Sequence, residues 1–435
     1  MNKRKRITIF ADCPPPLTAE SLAEYAALGL DTYALTENYI RFEDGRKEYE
    51  DALRLLRDAG LDVFIRGLNH EVFPGYFDKF RDFDFKKFPW VTGFYMIDEP
   101  NASMFPEIAD VYVPYFNENY ADLHWHVNLL PSRDEHTAPA TDAERLCVAD
   151  GGGKTAFENY VDRYVSEVLD KVKGSKDIGT DHYPYFLWKG DRSMSDIILS
   201  DYAVLAETAK RTGAELCLCI QTFGESADGW RQPESAAAVR FQLYLAMAFG
   251  AHMFEIFLYK HHPRYNLPYG IVEDGKKTAL YEYTQSAIRE IRALEKEYLT
   301  FRWQGLLTVK GEAAEGAAVS RLNWRQRLTD KSETRENAEA FDRIADKTLK
   351  GIEGLTLTAA GNTLVGAFEG TGGKRAALIL NYSDPVHNVS DRVTAAFDKP
   401  RTVAYYENGV KKTAEGARFT FGLEPGGAVF LLYNQ

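Results

Sequence analysis

Short apolar runs alternate with helical patterns from the start of the chain to about residue 300. Each run has the length of a strand, is rich in β-branched or aromatic residues, and ends in a polar residue or a turn former. The runs cover residues 7–12, 30–37, 62–69, 91–99, 123–130, 177–184, 215–222 and 252–260. Between them, apolar residues recur at helical spacing, as in Leu22, Tyr25 and Leu28 before Gly29. Eight regular strand-then-helix units predict an α/β fold, a (β/α)8 TIM barrel, rather than an open sheet.

A different pattern begins at about residue 301. Polar and apolar residues alternate in segments separated by turn sequences, one of them at Asn408 and Gly409. The segments cover residues 355–368, 375–382, 401–407, 417–422 and 428–433. This pattern predicts an antiparallel β-sandwich domain over 301–435 after a catalytic barrel over 1–300. The highly charged stretch at about 325–350 is predicted to be a solvated insert in the second domain.

The polar residues at the ends of the eight runs are the candidate site, because TIM barrels carry their active sites at the carboxyl ends of the strands. Amides such as Asn69, Asn128 and Gln221 offer donor and acceptor groups that match vicinal hydroxyls. Aromatic residues such as Tyr183 and Trp230 could present flat apolar faces to a sugar ring. The expected substrate-binding residues are Asp12, Glu37, Asn69, Asp98, His126, Asn128, Tyr183, Gln221, Trp230 and Tyr259.

The sharpest local signal is GFYMIDEPN at residues 93–101, where a predicted strand ends in Asp98, Glu99 and Pro100. Glycosidic cleavage needs a carboxylic acid that protonates the leaving oxygen and a second carboxylate that acts as nucleophile or base. Glu99 suits the role of the acid. A helix cap or a salt bridge at the junction between strand and helix is the structural alternative.

This segment resembles the acid/base segment of clan A glycoside hydrolases, whose fourth strand ends in Asn-Glu-Pro or a variant of it. Further segments resemble barrels of the same kind: VNLLP at 127–131, TDHYP at 180–184 and IQTFG at 220–224. The barrel followed by a β-sandwich is similar to β-galactosidase-like members. The resemblance implies a nucleophilic glutamate at the end of the seventh strand, but Gln221 or Thr222 stands there. Asp181 is therefore the first candidate for the second carboxylate, and Glu225 is the other.

The predicted function is hydrolysis of small oligosaccharides or glycosides, and two alternatives stay open. One is a substrate-assisted, hexosaminidase-like enzyme in which Asp98 orients an acetamido group and Glu99 protonates the leaving oxygen. The other is a carbohydrate-binding barrel without catalysis. The C-terminal domain is expected to hold no catalytic carboxylate, so replacing Asp384 or Glu407 should leave activity within a few fold.

Net charge and cysteine content indicate which partners, metals and cofactors to expect. The formal net charge is −12, which disfavours nucleic acid and anionic membranes as partners. The four cysteines, Cys13, Cys147, Cys217 and Cys219, show no zinc spacing, so neither a metal nor a cofactor is expected. The apolar run after the basic N-terminus is too short for a signal peptide, which favours a cytoplasmic location. The sequence leaves open whether the chain forms a homo-oligomer.

Overall fold

The computed structural model describes most of the chain. The described residues are 6–36, 40, 45–66, 80, 83–132, 154–188, 191–195, 197–224, 229–261, 270–311, 341 and 344–434. Among them, no helix is both long enough and apolar enough to cross a membrane.

The eight predicted apolar runs form the eight strands of one sheet. The strands are β1 (Thr8–Ala11), β2 (Thr32–Thr36), β3 (Asp62–Arg66), β4 (Val91–Asp98), β5 (His124–Leu129), β6 (Asp177–Thr180), β9 (Glu215–Gln221) and β11 (Met253–Phe257). Their order is β1-β11-β9-β6-β5-β4-β3-β2. The neighbours from β2 to β6, and β6 with β9, pair in parallel. The strands are mostly buried, as expected of a parallel sheet covered by helices.

The first and last strands of this order are joined at Asp31, just before β2. Its N–H donates to the carbonyl of Ile9 at 3.0 Å, and its carboxylate accepts the N–H of Ile9 at 3.1 Å. This link between β1 and the start of β2 closes the sheet into a barrel. The predicted (β/α)8 fold is therefore confirmed.

The helices between the strands follow the predicted spacing. They are α1 (Ala19–Ala27), α2 (Arg46–Asp58), α3 (Val113–Asn119), α4 (Ala156–Glu167), α5 (Ile198–Thr212), α6 (Ala236–Ala248) and α7 (Ala279–Tyr298). In α1 the inward residues Leu22 and Tyr25 are buried, and Thr18 caps the first turn by accepting the N–H of Ser21. Gly29 follows with φ 102°, a value that suits glycine at the end of a helix.

Three short strands lie outside the barrel sheet and form a small antiparallel sheet in the order β10-β7-β8. They are β7 (Tyr185–Trp188), β8 (Asp191–Met194) and β10 (Gly229–Trp230). In the pairing of β10 with β7, Trp230 lies opposite Phe186. A further two-stranded hairpin joins β12 (Val272–Glu273) to β13 (Lys276–Lys277).

The C-terminal part is an antiparallel sheet, as predicted. Its strands are β14 (Phe301–Val309), β15 (Leu355–Ala359), β16 (Thr363–Gly370), β17 (Lys374–Asn381), β18 (Asp391–Glu407), β19 (Val410–Leu423) and β20 (Ala428–Asn434). They follow the order β14-β16-β17-β20-β18-β15, with β19 paired to β18. Asn408 and Gly409 have φ 50° and 72° and form the tight turn between β18 and β19. Val365, Ile379, Val393 and Leu431 are among the residues of its core.

The chain divides into two compact units. One contains Thr8–His182 and Glu207–Cys219, and the other contains residues 1–7, 183–206 and 220–435. The first unit holds the strand ends of β1 to β6. The second holds the three-stranded sheet, α6, α7 and the C-terminal sheet. The predicted domain boundary at residue 300 stays a prediction.

Candidate active site

Glu99 follows the last residue of β4 in a constrained backbone conformation. Its φ is 45°, in the left-handed region that residues other than glycine rarely adopt. Its N–H donates to the carbonyl of Asn128 at 2.8 Å. The next carbonyl, of Pro100, accepts the Tyr160 hydroxyl at 2.6 Å. Hydrogen bonds on both sides therefore hold the backbone of Glu99, whose residue is partly exposed at the carboxyl end of β4.

Asp98, the neighbour of Glu99, is held by three donors. Its Oδ1 accepts the Tyr95 hydroxyl at 3.1 Å and the Asn128 amide at 3.0 Å. Its Oδ2 accepts Nη2 of Arg66 at 3.1 Å. Side chains of three neighbouring strands, β3, β4 and β5, therefore hold the Asp98 carboxylate next to Glu99.

Arg66, the last residue of β3, connects three strand ends. It lies between Asp98 and Asp12, and its Nη1 is 2.7 Å from Oδ1 of Asp12. Its guanidinium lies over the ring of Tyr95, 4.1 Å from the centroid. At 8% exposure it is a buried cation between two carboxylates. Arg66 was not predicted as a site residue, although a basic residue inside the apolar run at 62–69 was a signal for it.

Asp181, the preferred second carboxylate, follows β6 and is partly exposed. The charges of both candidate carboxylates, Glu99 and Asp181, act on the hydroxyl of Tyr160 in α4. Burial raises the pKa of Tyr160 well above its usual value, and the negative charges of Glu99 and Asp181 raise it further. The structure thus brings Glu99 and Asp181 into the neighbourhood of the same buried hydroxyl. Tyr160 was not predicted, because nothing in a helical pattern marks a residue that reaches a strand end.

His126 lies in the core of the barrel rather than at its surface. Its Nδ1 is 2.7 Å from Oδ2 of Asp177, and Nε2 of His124 is 3.0 Å from the same oxygen. Burial disfavours the charge of Asp177, but the two imidazoles hold its pKa below the usual value. The His126 ring packs edge-on against Tyr95 with centroids 4.3 Å apart. His126 therefore supports the tyrosine that donates to Asp98, and its predicted contact with substrate stays a prediction.

The same core residues form the one group, among the residues that the structure describes, with the spacing of metal ligands. His126, Asp177 and Cys217 each place one possible ligand atom within 4.8 Å of the others. Oδ2 of Asp177 already accepts from both histidines. These two hydrogen bonds do not involve Cys217.

Several predicted aromatic residues gather in the second compact unit. Tyr183 contacts Phe223, Trp230 and Phe257, with ring centroids 4.8, 5.5 and 5.6 Å away. Phe223 is buried, whereas Tyr183 and Trp230 are partly exposed. We call these two residues the aromatic face. Tyr259, also predicted to bind substrate, is buried.

Gln221 is fully buried at the end of β9, with 0% exposure. Its Oε1 accepts the N–H of Tyr185 at 2.9 Å, and its Nε2 donates to the carbonyls of Tyr185 and Arg231 at 3.1 and 2.9 Å. The backbone of Gln221 is in turn bonded by the side-chain amide of Gln242. These contacts give Gln221 a structural role, and its predicted contact with substrate stays a prediction.

Three predicted site residues, Glu37, Asn69 and Glu225, lie outside the described residues. The others divide between the two units. Asp12, Asp98, Glu99, His126, Asn128 and Asp181 belong to the first, and Tyr183, Gln221, Trp230 and Tyr259 belong to the second. Asp384 of the C-terminal part lies in a turn, as expected, but it is fully buried and pairs with Arg231. Its burial was not expected, and the effect of its replacement on activity stays a prediction.

No protein-family model matches the chain, and no curated protein matches it. A β-galactosidase from Bacillus circulans sp. alkalophilus is similar over 99% of this chain and 99% of its own, at 9% identity and a TM-score of 0.49. A GH42 β-galactosidase from G. stearothermophilus is similar over 100% and 99%, at 10% identity and a TM-score of 0.45. A GH30 endoxylanase from Clostridium papyrosolvens C71 is similar over 100% and 97%, at 11% identity and a TM-score of 0.39. These solved structures are glycoside hydrolases, the class that the strand-end motifs of this chain resemble.

Proposed function

We propose that the protein is a glycoside hydrolase acting on small oligosaccharides or glycosides, with Glu99 as general acid/base. The observation that carries the proposal is the position of Glu99 at the end of β4, next to a carboxylate that three donors hold. Asp98 accepts from Arg66, Tyr95 and Asn128, and hydrogen bonds on both sides hold the backbone of Glu99. A carboxyl group on a fixed backbone at a strand end suits general acid catalysis.

Asp181 is the proposed second carboxylate. It follows a barrel strand directly, and its charge and that of Glu99 both act on the Tyr160 hydroxyl. In this reaction Glu99 protonates the leaving oxygen while Asp181 attacks the anomeric carbon or deprotonates the attacking water. Asp12, Asp98 and Asn128 are then placed around the sugar hydroxyls at neighbouring strand ends.

The hexosaminidase-like alternative gives Asp98 a different task, that of orienting an acetamido group. The first proposal is preferred because the Gly-Gly-Asp-Glu context typical of such enzymes is absent before Glu99. A panel of 4-nitrophenyl glycosides of both anomers, with and without the N-acetyl group, separates the two. Activity restricted to N-acetyl substrates supports the alternative, and binding without turnover of any of them supports a carbohydrate-binding protein.

Replacing Glu99 with Gln tests the acid. We expect turnover of an alkyl glycoside to fall at least about 100-fold, since loss of general acid catalysis is worth this much. Turnover of a 2,4-dinitrophenyl glycoside should fall less, because this leaving group needs no proton. Glu107→Gln is the control, since Glu107 is exposed in the helical segment that follows. Equal losses on both substrates would remove Glu99 from the role of acid.

Replacing Asp181 with Asn tests the second carboxylate. We expect turnover to be lost while sugar binding is retained, and azide to restore turnover by taking the place of the carboxylate as nucleophile or base. Steady-state rates with and without azide measure this. An active Asp181→Asn variant, together with an inactive Glu225→Gln variant that azide rescues, would move the assignment to Glu225.

A further inference from the structure

Arg231 and Asp384 form a buried ion pair between segments 153 residues apart. The distance from Nη2 of Arg231 to Oδ2 of Asp384 is 2.6 Å, and the two residues are 5% and 0% exposed. Asp384 precedes the short helical turn Pro385–His387, and its other oxygen accepts the N–H of Val386 at 3.1 Å. The hydrogen bond from Val386 therefore holds the Asp384 carboxylate in place independently of its ion pair with Arg231.

The backbone of Arg231 is held as firmly as its side chain. Its N–H donates to the carbonyl of Tyr185 at 3.1 Å, and its carbonyl accepts Nε2 of Gln221 at 2.9 Å. Its guanidinium lies over the Tyr185 ring, 4.8 Å from the centroid. Three separate contacts thus fix the residue that directly follows Trp230.

Trp230 belongs to the two-residue strand β10, and its ring packs among three others while the residue stays partly exposed. The centroids of Tyr183, Phe186 and Phe223 lie 5.5, 6.2 and 6.3 Å from that of Trp230. Because Arg231 directly follows Trp230, the contacts that hold Arg231 also fix the backbone from which the Trp230 ring reaches these neighbours.

We propose that Asp384 is a positioning residue for the aromatic face of Tyr183 and Trp230, and that this face binds a pyranose ring by stacking. Asp384 acts through Arg231 and touches no substrate. The identity of the ligand rests on the proposed function, whereas the positioning of Trp230 does not. Loss of the Asp384 charge would leave Arg231 buried without its counter-ion. The segment carrying Trp230 would then shift, because the shift lowers the free-energy cost of the uncompensated charge.

The test uses the full chain labelled with 5-fluorotryptophan and studied by 19F NMR. The chain has six tryptophans, and Trp230→Phe assigns the resonance of Trp230 by its disappearance. We expect Asp384→Asn to shift or broaden this resonance and to leave that of Trp303 unchanged. Asp391→Asn is the matched control, because Asp391 is also buried and also bonds neighbouring backbone, at Gly361 and Arg392.

Sugar binding supplies the second measurement. We expect Asp384→Asn to raise about tenfold the Kd of a glycoside that shifts the Trp230 resonance of the wild type. If Asp384→Asn does not fold, Arg231→Lys replaces it, since the lysine keeps the charge but loses the guanidinium plane over Tyr185.

The possible results separate the two proposals. An unchanged Trp230 resonance in Asp384→Asn, or the same shift in Asp391→Asn, overturns the positioning role. A shifted Trp230 resonance in a protein that neither binds nor cleaves any glycoside supports the positioning role and overturns the proposed ligand.

Discussion

Gln221 ends β9, the strand at whose end the resemblance to clan A enzymes implies a nucleophilic glutamate. Its amide is both an acceptor for the N–H of Tyr185 and a donor to the carbonyls of Tyr185 and Arg231. A carboxylate could replace the acceptor but not the donor, and it would place a charge against two carbonyl oxygens. The backbone around it therefore explains the glutamine, which is consistent with a proposed second carboxylate at another strand end.

Replacing Gln221 with Glu should consequently destabilise the protein rather than create a nucleophile. We expect the free energy of unfolding to fall by about 3 kcal/mol, the scale for leaving buried polar groups unsatisfied beside a charge. Urea unfolding measures it, and Gln304→Glu, on an exposed side chain, is the control with an expected effect below about 0.5 kcal/mol. A Gln221→Glu variant as stable as the wild type would show that the hydrogen bonds of the amide do not contribute to the free energy of unfolding.

At the scale of elements, Asp177 links neighbouring barrel strands through buried histidines. It begins β6, and its Oδ2 meets His124 and His126, both on β5. The pair of strands is thus joined by side chains as well as by backbone. Because the carboxylate is fully buried, its hydrogen bonds cannot be replaced by water.

Asp177→Asn should lower the free energy of unfolding by about 3 kcal/mol at neutral pH, because it removes one partner of a buried charged cluster. The pKa of Asp177 is lower in the folded than in the unfolded chain. Its stabilising contribution is therefore complete above the unfolded pKa of about 4 and is lost as the pH falls through the folded value. The difference between wild type and variant should shrink from pH 6 to pH 3 in urea titrations.

Asp162→Asn provides the comparison for this series. Asp162 is an exposed carboxylate paired with Lys154 and Arg211 at 2.8 and 3.1 Å. Exposed pairs of this kind contribute less than about 1 kcal/mol. A similar loss of stability in both variants would contradict the special role of the buried cluster.

The strands of the barrel could be predicted from the sequence. All eight barrel strands follow apolar runs, because a strand buried on both faces must be apolar along its length. The segment 355–368 is two strands, β15 and β16. The break between them falls at Gly361 and Asn362, within the turn sequence Gly-Asn-Thr at 361–363 that the sequence predicts.

At the scale of the whole molecule, the contacts that define the candidate site join distant parts of the chain. Arg66 meets Asp98 across 32 residues, and Arg231 meets Asp384 across 153. A local pattern can place a polar residue at a strand end, as it did for Asp98 and Glu99. It does not tell which other strand end supplies the counter-ion, because that depends on the closure of the barrel and the path of the loops.

The edge strand β19 of the C-terminal sheet affects whether the protein aggregates at high concentration. β19 pairs with β18 and, among the described strands, has no ladder on its other side. The open edge of this 14-residue strand offers backbone groups to any other extended chain. Lys411, Lys412, Glu415 and Arg418 are exposed along it. These charges oppose the stacking of one molecule on the next, so the sheet can be long without seeding fibrils.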